Sequence, residues 1–225
     1  MMKFIKGLYV RELTNRFRCE IEIDDEICEC YQPISFKLSK VMKPEGKEVL
    51  LSGIQKKKSD FKYSVYAIKT EENRYALLNL QMVNSIFEKE IYKNRFSYLG
   101  DRSVVKHEAK VDGLKTDLLI DDSTIIEIKT IFSFDSTVLF PNLTSHRLLD
   151  QITKISENLG KGYRAVLILA VLTETPKKII INSDNSEIKT TILRACQAGL
   201  NIKAYRIENV ENAACVGEEL EVVVE

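Results

Sequence analysis

Hydrophobic and polar positions alternate along the first 81 residues in short runs: Phe4–Val10, Phe17–Ile23, Glu26–Tyr31, Lys47–Gln55, Lys62–Lys69 and Arg74–Leu80. Asp24-Asp25 and Lys43-Pro44-Glu45-Gly46 supply turns between them. A period of two predicts strands, and five or so short strands predict a small β-barrel, with an OB-like fold as one option. From Met82 the period changes. Met82, Val83, Ile86, Phe87 and Ile91 fall on one helical face, which predicts a helix to about Tyr92. We place a domain step here, with a barrel over 1–81 and a second domain over 82–225.

The second domain reads as strand Val104–Val111, a hairpin over 114–130, and a strand at Thr137–Phe140. Pro141-Asn142 breaks the chain. A helix over 143–159 follows, with Leu148, Ile152, Ile155 and Leu159 as its buried stripe, ended by Gly160 and Gly162. Arg164–Leu172 is the most apolar run, as a central strand covered on both faces requires. Strand Lys178–Asn182, helix Asp184–Ala198 and strand Ile202–Ile207 complete an α/β (α+β) pattern with a mixed sheet.

The hairpin carries the candidate chemistry. Its loop, Asp121-Asp122-Ser123, pairs Ile120 with Thr124 and, continued, Asp117 with Glu127. One face then holds Lys115, Asp117, Leu119, Ile125, Glu127 and Lys129. The other holds Leu114, Thr116, Leu118, Ile120, Thr124, Ile126 and Ile128, and reads as core. Two carboxylates side by side repel unless a cation lies between them. Hard cations such as Mg²⁺ take carboxylate oxygens and retain waters. The adjacent lysine can orient a water or offset charge on a phosphate. An exposed hairpin face with ordinary ion pairs explains the same three residues.

Composition narrows the classes. Lys+Arg and Asp+Glu are equal at 33 each, so no global field draws the chain to a polyanion. Residues 1–84 hold 15 basic and 12 acidic side chains, too slight an excess to identify a partner. The five cysteines form no CxxC pair, and with two histidines they offer no zinc set. Reduced thiols and the lack of any run near ~18 apolar residues predict a cytoplasmic chain with no membrane contact. There is no Gly-rich phosphate loop, no Ser/His/Asp set and no helix-turn-helix signature.

Lys56, Lys57 and Lys58 in a barrel loop, with Lys62 and Tyr63 after it, suit nucleic-acid backbones and bases; a solvated loop is the alternative. Arg147 and Gln151 share a helix face one turn apart. They join Lys154, Lys161 and Arg164 as candidate phosphate contacts.

The order hairpin, strand, helix, central strand, helix, strand resembles a PD-(D/E)xK nuclease core. The whole chain resembles the sugar fermentation stimulation protein A (SfsA) family. The matching segments are Asn15-Arg16-Phe17, Lys47-Glu48-Val49-Leu50-Leu51-Ser52, Leu114-Lys115-Thr116-Asp117-Leu118-Leu119 and Glu127-Ile128-Lys129. Further on come Leu139-Phe140-Pro141-Asn142, Gly162-Tyr163-Arg164-Ala165-Val166-Leu167, Ala195-Cys196-Gln197-Ala198-Gly199-Leu200 and Lys203-Ala204-Tyr205-Arg206. The resemblance implies an OB-like barrel joined to a PD-(D/E)xK nuclease-like domain that binds DNA. By it Asp117 and Glu127 match the metal carboxylates, Lys129 the catalytic lysine, and Glu108 a further acid. It implies Mg²⁺ or Mn²⁺ as cofactor and DNA as partner, with RNA and a homodimer as open options. Lys115-Thr116 stands where the family usually has Ser-Arg, and Asn142 where it usually has Asp. A non-catalytic DNA-binding protein regulating sugar (maltose) metabolism genes is the competing reading.

Overall fold

The computed structural model describes residues 3–34, 36–54, 60–100, 103–141, 146–181 and 186–224. Lys56, Lys57, Lys58 and Asn142 lie outside them.

The first strands are β1 (Ile5–Glu12), β2 (Arg18–Ile23), β3 (Glu26–Tyr31), β4 (Glu48–Gly53), β5 (Tyr63–Lys69) and β6 (Tyr75–Leu77). They pair in the order β3-β2-β1-β4-β5-β6, and Tyr31 of β3 meets Ser64 of β5. That contact closes β1–β5 into a five-stranded, OB-like barrel, which removes its free edges. Alternate residues fill it: Tyr9, Cys19, Ile21, Cys30, Val49, Leu51, Val65 and Ile68. Gly7 is needed for close approach, because a Cβ there would lie 2.6 Å from Ile21 Cγ2 and 2.7 Å from the Glu22 carbonyl. Buried polar groups inside are paired. The Tyr9 hydroxyl donates to Gln32 Oε1 at 2.6 Å, and Gln32 Nε2 donates to Glu12 Oε1 at 3.2 Å.

Helix α1 (Val83–Tyr92) leads into the second half. Its further elements are β7 (Val105–His107), β8 (Lys110–Val111), β9 (Leu114–Lys115), β10 (Leu118–Ile120), β11 (Thr124–Ile131), β12 (Thr137–Phe140) and α2 (His146–Leu159). β13 (Arg164–Val171), β14 (Lys178–Ile181), α3 (Ser186–Gln197), β15 (Asn201–Glu208) and β16 (Cys215–Val224) follow. The eight-stranded mixed sheet runs β12-β14-β16-β15-β13-β11-β10-β7. β11, β13 and β15 are parallel neighbours, so β13 is central. Helices α2 and α3 cover one face with Leu148, Ile152, Ile155, Ile188, Ile192 and Ala195. The other face packs on α1 and on barrel residues Leu50, Tyr66 and Leu77. The continuous apolar run of β13 follows from this double cover.

Two expectations need correction. The strand over 104–111 is split into β7 and β8, with Glu108 between them at φ +47°. β16 was not anticipated, because Gly217 and three glutamates interrupt its apolar pattern. Cross-strand cations explain why those glutamates are tolerated: Arg206 meets Glu218 at 2.7 Å, Lys203 meets Glu219 at 2.6 Å, and Lys178 meets Glu221 at 3.3 Å. Arg206 also donates to the carbonyls of Thr173, Glu174 and Pro176, so its buried charge is fully partnered. All five cysteines are free thiols. Among the described residues no helix is long and apolar enough to cross a membrane.

Candidate functional site

The hairpin register is the one the loop demands: Ile120 opposite Thr124, Leu119 opposite Ile125, Leu118 opposite Ile126. Asp121 and Asp122 adopt positive φ at its tip, as Asp tolerates, and Asp121 accepts from the Ser103 and Val104 amides. Both faces of the hairpin are buried, which departs from the expectation of one core face. Leu118, Ile120, Ile126 and Ile128 pack toward α1, while Leu119 and Ile125 pack under α2. Leu114 also sits on the α2 side, because β8 and β9 form a separate ribbon.

Covering by α2 converts Glu127 from a surface acid into a buried one, 2% exposed. Its Oε1 accepts from Lys129 Nζ at 2.6 Å and from Gln151 Nε2 at 2.7 Å. Lys129 Nζ also donates to Gln151 Oε1 at 2.7 Å, so the three side chains close a ring. Glu127 Oε2 is buried and accepts no hydrogen bond. Burial pushes the Glu127 carboxyl above the ordinary glutamate range; the Lys129 ammonium opposes this, and the Asp117 charge adds to it.

Asp117 lies just before β10. Its Oδ2 accepts the Ile128 amide at 2.8 Å, and Asn84 of α1 approaches Oδ1 at 3.4 Å. Thr116 holds the chain here. It is 1% exposed, and its hydroxyl lies 2.9 Å from the Leu118 carbonyl and 2.8 Å from that of Ile126. A cleft of about 290 Å³ opens beside it, lined by Glu108, Lys115, Asp117, Arg147, Gln151 and Lys154, among others. Gln151 therefore reaches both the cleft and the Glu127–Lys129 pair.

The structure thus gathers Glu127, Lys129 and Gln151 in one ring, and Asp117 and Gln151 share the cleft with Arg147, Asp150 and Lys154. Glu108 stands apart from the buried pair: it forms an exposed ion pair with Lys115 at 2.8 Å, which holds its carboxyl below the usual range. Among the described residues, no three His, Cys, Asp or Glu side chains converge closely enough to hold a metal ion. Lys161 pairs with Asp112 at 3.0 Å, and Arg164 donates to the carbonyls of Tyr98 and Leu99, so both have structural partners. Lys62 and Tyr63 belong to the barrel, where the Lys62 ammonium sits 5.0 Å from the Tyr63 ring centre. Sequence reasoning missed Thr116 and Asn84 as supports of Asp117. A buried threonine beside a motif acid was the only signal for the first, and a helix residue gave none for the second.

Comparison with known proteins places the chain. Residues 81–213 match the family model described as the sugar fermentation stimulation protein RE domain. A sugar fermentation stimulation protein homolog of Pelagibacter ubique is 25% identical over 215 residues, covering 91% of this chain and 92% of that one. A Thermotoga maritima homolog is 24% identical over 182 residues, covering 80% and 79%. The solved structure of Pyrococcus furiosus SfsA in complex with Ca²⁺ superposes with a TM-score of 0.82 at 19% identity, over 99% of this chain and 96% of that one. The chain belongs to the sugar fermentation stimulation protein family.

Proposed function

We propose that this protein binds nucleic acid and hydrolyses phosphodiester bonds with a divalent cation, Mg²⁺ or Mn²⁺, held by Asp117 and Glu127. One observation carries the reading: Glu127 Oε2 is buried without a hydrogen bond, under the charge of Asp117. An orphaned carboxylate oxygen is costly, and functional sites are where such cost is retained. A cation between the two acids removes both the orphan and the repulsion. Two carboxylates also match the chemistry of Mg²⁺, which is bound through one or two acids and keeps its remaining positions for water and substrate phosphate. Such an ion supplies Lewis-acid stabilisation of phosphoryl charge and a more acidic water.

The other side chains have separate tasks. Lys129 Nζ, one-quarter exposed beside Glu127, offsets charge growing on phosphoryl oxygens and orients the attacking water. Gln151 fixes both Glu127 and Lys129 from α2, so that neither has to reorganise. Arg147 and Lys154 line the cleft where a phosphate backbone would lie. The test is incubation of the pure protein with labelled single- and double-stranded DNA and RNA, in Mg²⁺, Mn²⁺ or EDTA. Metal-dependent cleavage supports the reading. Binding with no cleavage under any metal replaces it with a non-catalytic nucleic-acid-binding role.

A further inference from the structure

A second surface lies on the barrel. Arg16 and Phe17 close the β1–β2 turn, held by an Asx bond from the Phe17 amide to Asn15 Oδ1 at 3.0 Å. Tyr31 ends β3 at the seam where the barrel closes, opposite Arg18 of β2. Phe61 sits just ahead of β5. These residues form a continuous run. The Arg16 guanidinium is 4.8 Å from the Phe17 ring centre. Phe17 and Tyr31 have centroids 6.3 Å apart, inclined by 26°. Tyr31 and Phe61 are 5.9 Å apart at 38°. Arg18 lies over Phe61 at 5.5 Å and is held there by an ion pair with Glu29.

None of these rings is core. Phe17 is 37% exposed, Tyr31 and Phe61 are half-buried, and Arg16 and Arg18 are exposed. The interior of the barrel is filled by other side chains. Three aromatic rings on the surface between two guanidiniums offer apolar faces beside positive charge. In a closed barrel of this type the β1–β2 turn and the approach to β5 lie where oligonucleotides bind.

We propose that Arg16, Phe17, Arg18, Tyr31 and Phe61 form a docking platform for single-stranded nucleic acid, on which unpaired bases stack. The proposal rests on the nucleic-acid reading above and specifies its surface and strand state. A duplex keeps its bases stacked inside and exposes their edges but not their π faces, so it gains nothing from the rings. Arg18 is committed to Glu29 and orients Phe61; Arg16 is the residue placed to meet a phosphate.

Fluorescence anisotropy of labelled oligo-dT, oligo-U and a matched DNA duplex, in EDTA to prevent cleavage, tests this. Phe17→Leu and Tyr31→Leu keep apolar volume but remove the π face; Phe17→Tyr keeps the face and controls for folding. We expect the wild type to bind at least one single strand more tightly than duplex. Each leucine variant should lose about five- to a hundredfold in single-strand affinity, with the salt slope unchanged. Phe17→Tyr should bind like wild type, and Arg16→Gln should flatten the slope by about 0.7. Leucine variants that bind as the wild type does, or a wild type that prefers duplex, overturn the platform and leave nucleic-acid binding standing. A wild type that binds none of the three probes overturns both.

Discussion

Lys129→Ala separates the electrostatic account of the site from a merely structural one. Glu127 is 2% exposed and carries its charge on a carboxylate whose Oε1 has two donors and whose Oε2 has none. Removing one partner of a buried ion pair costs about 3–5 kcal/mol. Here Gln151 remains as a donor and Lys129 is 24% exposed, so water partly fills the gap. The loss of one charge-assisted hydrogen bond, about 1.5–3 kcal/mol, is the better figure at pH ~8. The sign of the pH dependence follows. Burial already raises the Glu127 carboxyl, and Lys129 opposes that rise. Without the lysine the folded-state carboxyl rises further, so the variant takes up its proton at higher pH than the wild type. The destabilisation is therefore full above both folded-state values and shrinks as pH falls through them toward the unfolded glutamate range, near ~4.3. Denaturant unfolding in EDTA at several pH values reads it directly. At this size each kcal/mol moves Tm by about 2–4 °C. A pH-independent loss, or no loss at pH ~8, would refute the buried-charge argument. Adding Glu127→Gln to Lys129→Ala removes the unpaired charge and should recover most of the stability. In the proposed hydrolysis, Lys129→Ala should lose on the order of a hundredfold in cleavage rate while Mn²⁺ affinity is kept, because an ammonium is not a ligand.

Two further predictions concern the supports. Thr116→Val keeps the shape of a side chain 1% exposed but removes its hydroxyl contacts to two carbonyls. We expect a loss of about 1–3 kcal/mol in chemical denaturation and weaker Mn²⁺ binding through displacement of Asp117; unchanged metal affinity would remove Thr116 from the site. Tyr9→Phe leaves Gln32 Oε1, in a residue 0% exposed, without its donor, and should cost about 1–3 kcal/mol with cleavage unaffected. A neutral denaturation result would show that the barrel's polar network contributes little.

The parts of this fold that were legible in the sequence are those set by local pattern. Ile120 opposite Thr124 follows from loop length and alternation, and α1 from the period of Val83, Ile86, Phe87 and Ile91. The double cover of β13 was legible because an unbroken apolar run has no solvent face to offer. What failed depends on partners distant in sequence. The acids of β16 look like surface until Lys178, Lys203 and Arg206 are placed beside them. Glu127 looks like one of a pair on an open hairpin until α2 lays Gln151 over it. Periodicity put Gln151 on one helix face with Arg147; its amide bonds to Glu127 and Lys129, contacts with partners distant in sequence that the helix pattern does not show, and it also lines the cleft. Glu108, matched to a further acid by the family resemblance, pairs with Lys115 at a local turn of positive φ and lines the same cleft as Asp117.

Calorimetric titration of Mn²⁺ into the wild type, Asp117→Asn and Glu127→Gln tests the central claim most directly, because it asks for the cation without asking for cleavage. Each substitution removes a ligand charge while keeping side-chain volume, and Glu127→Gln also relieves the repulsion from Asp117, so both variants should remain folded in EDTA. The account predicts saturable binding by the wild type and its loss in both variants. Equal Mn²⁺ affinity in all three proteins would contradict it.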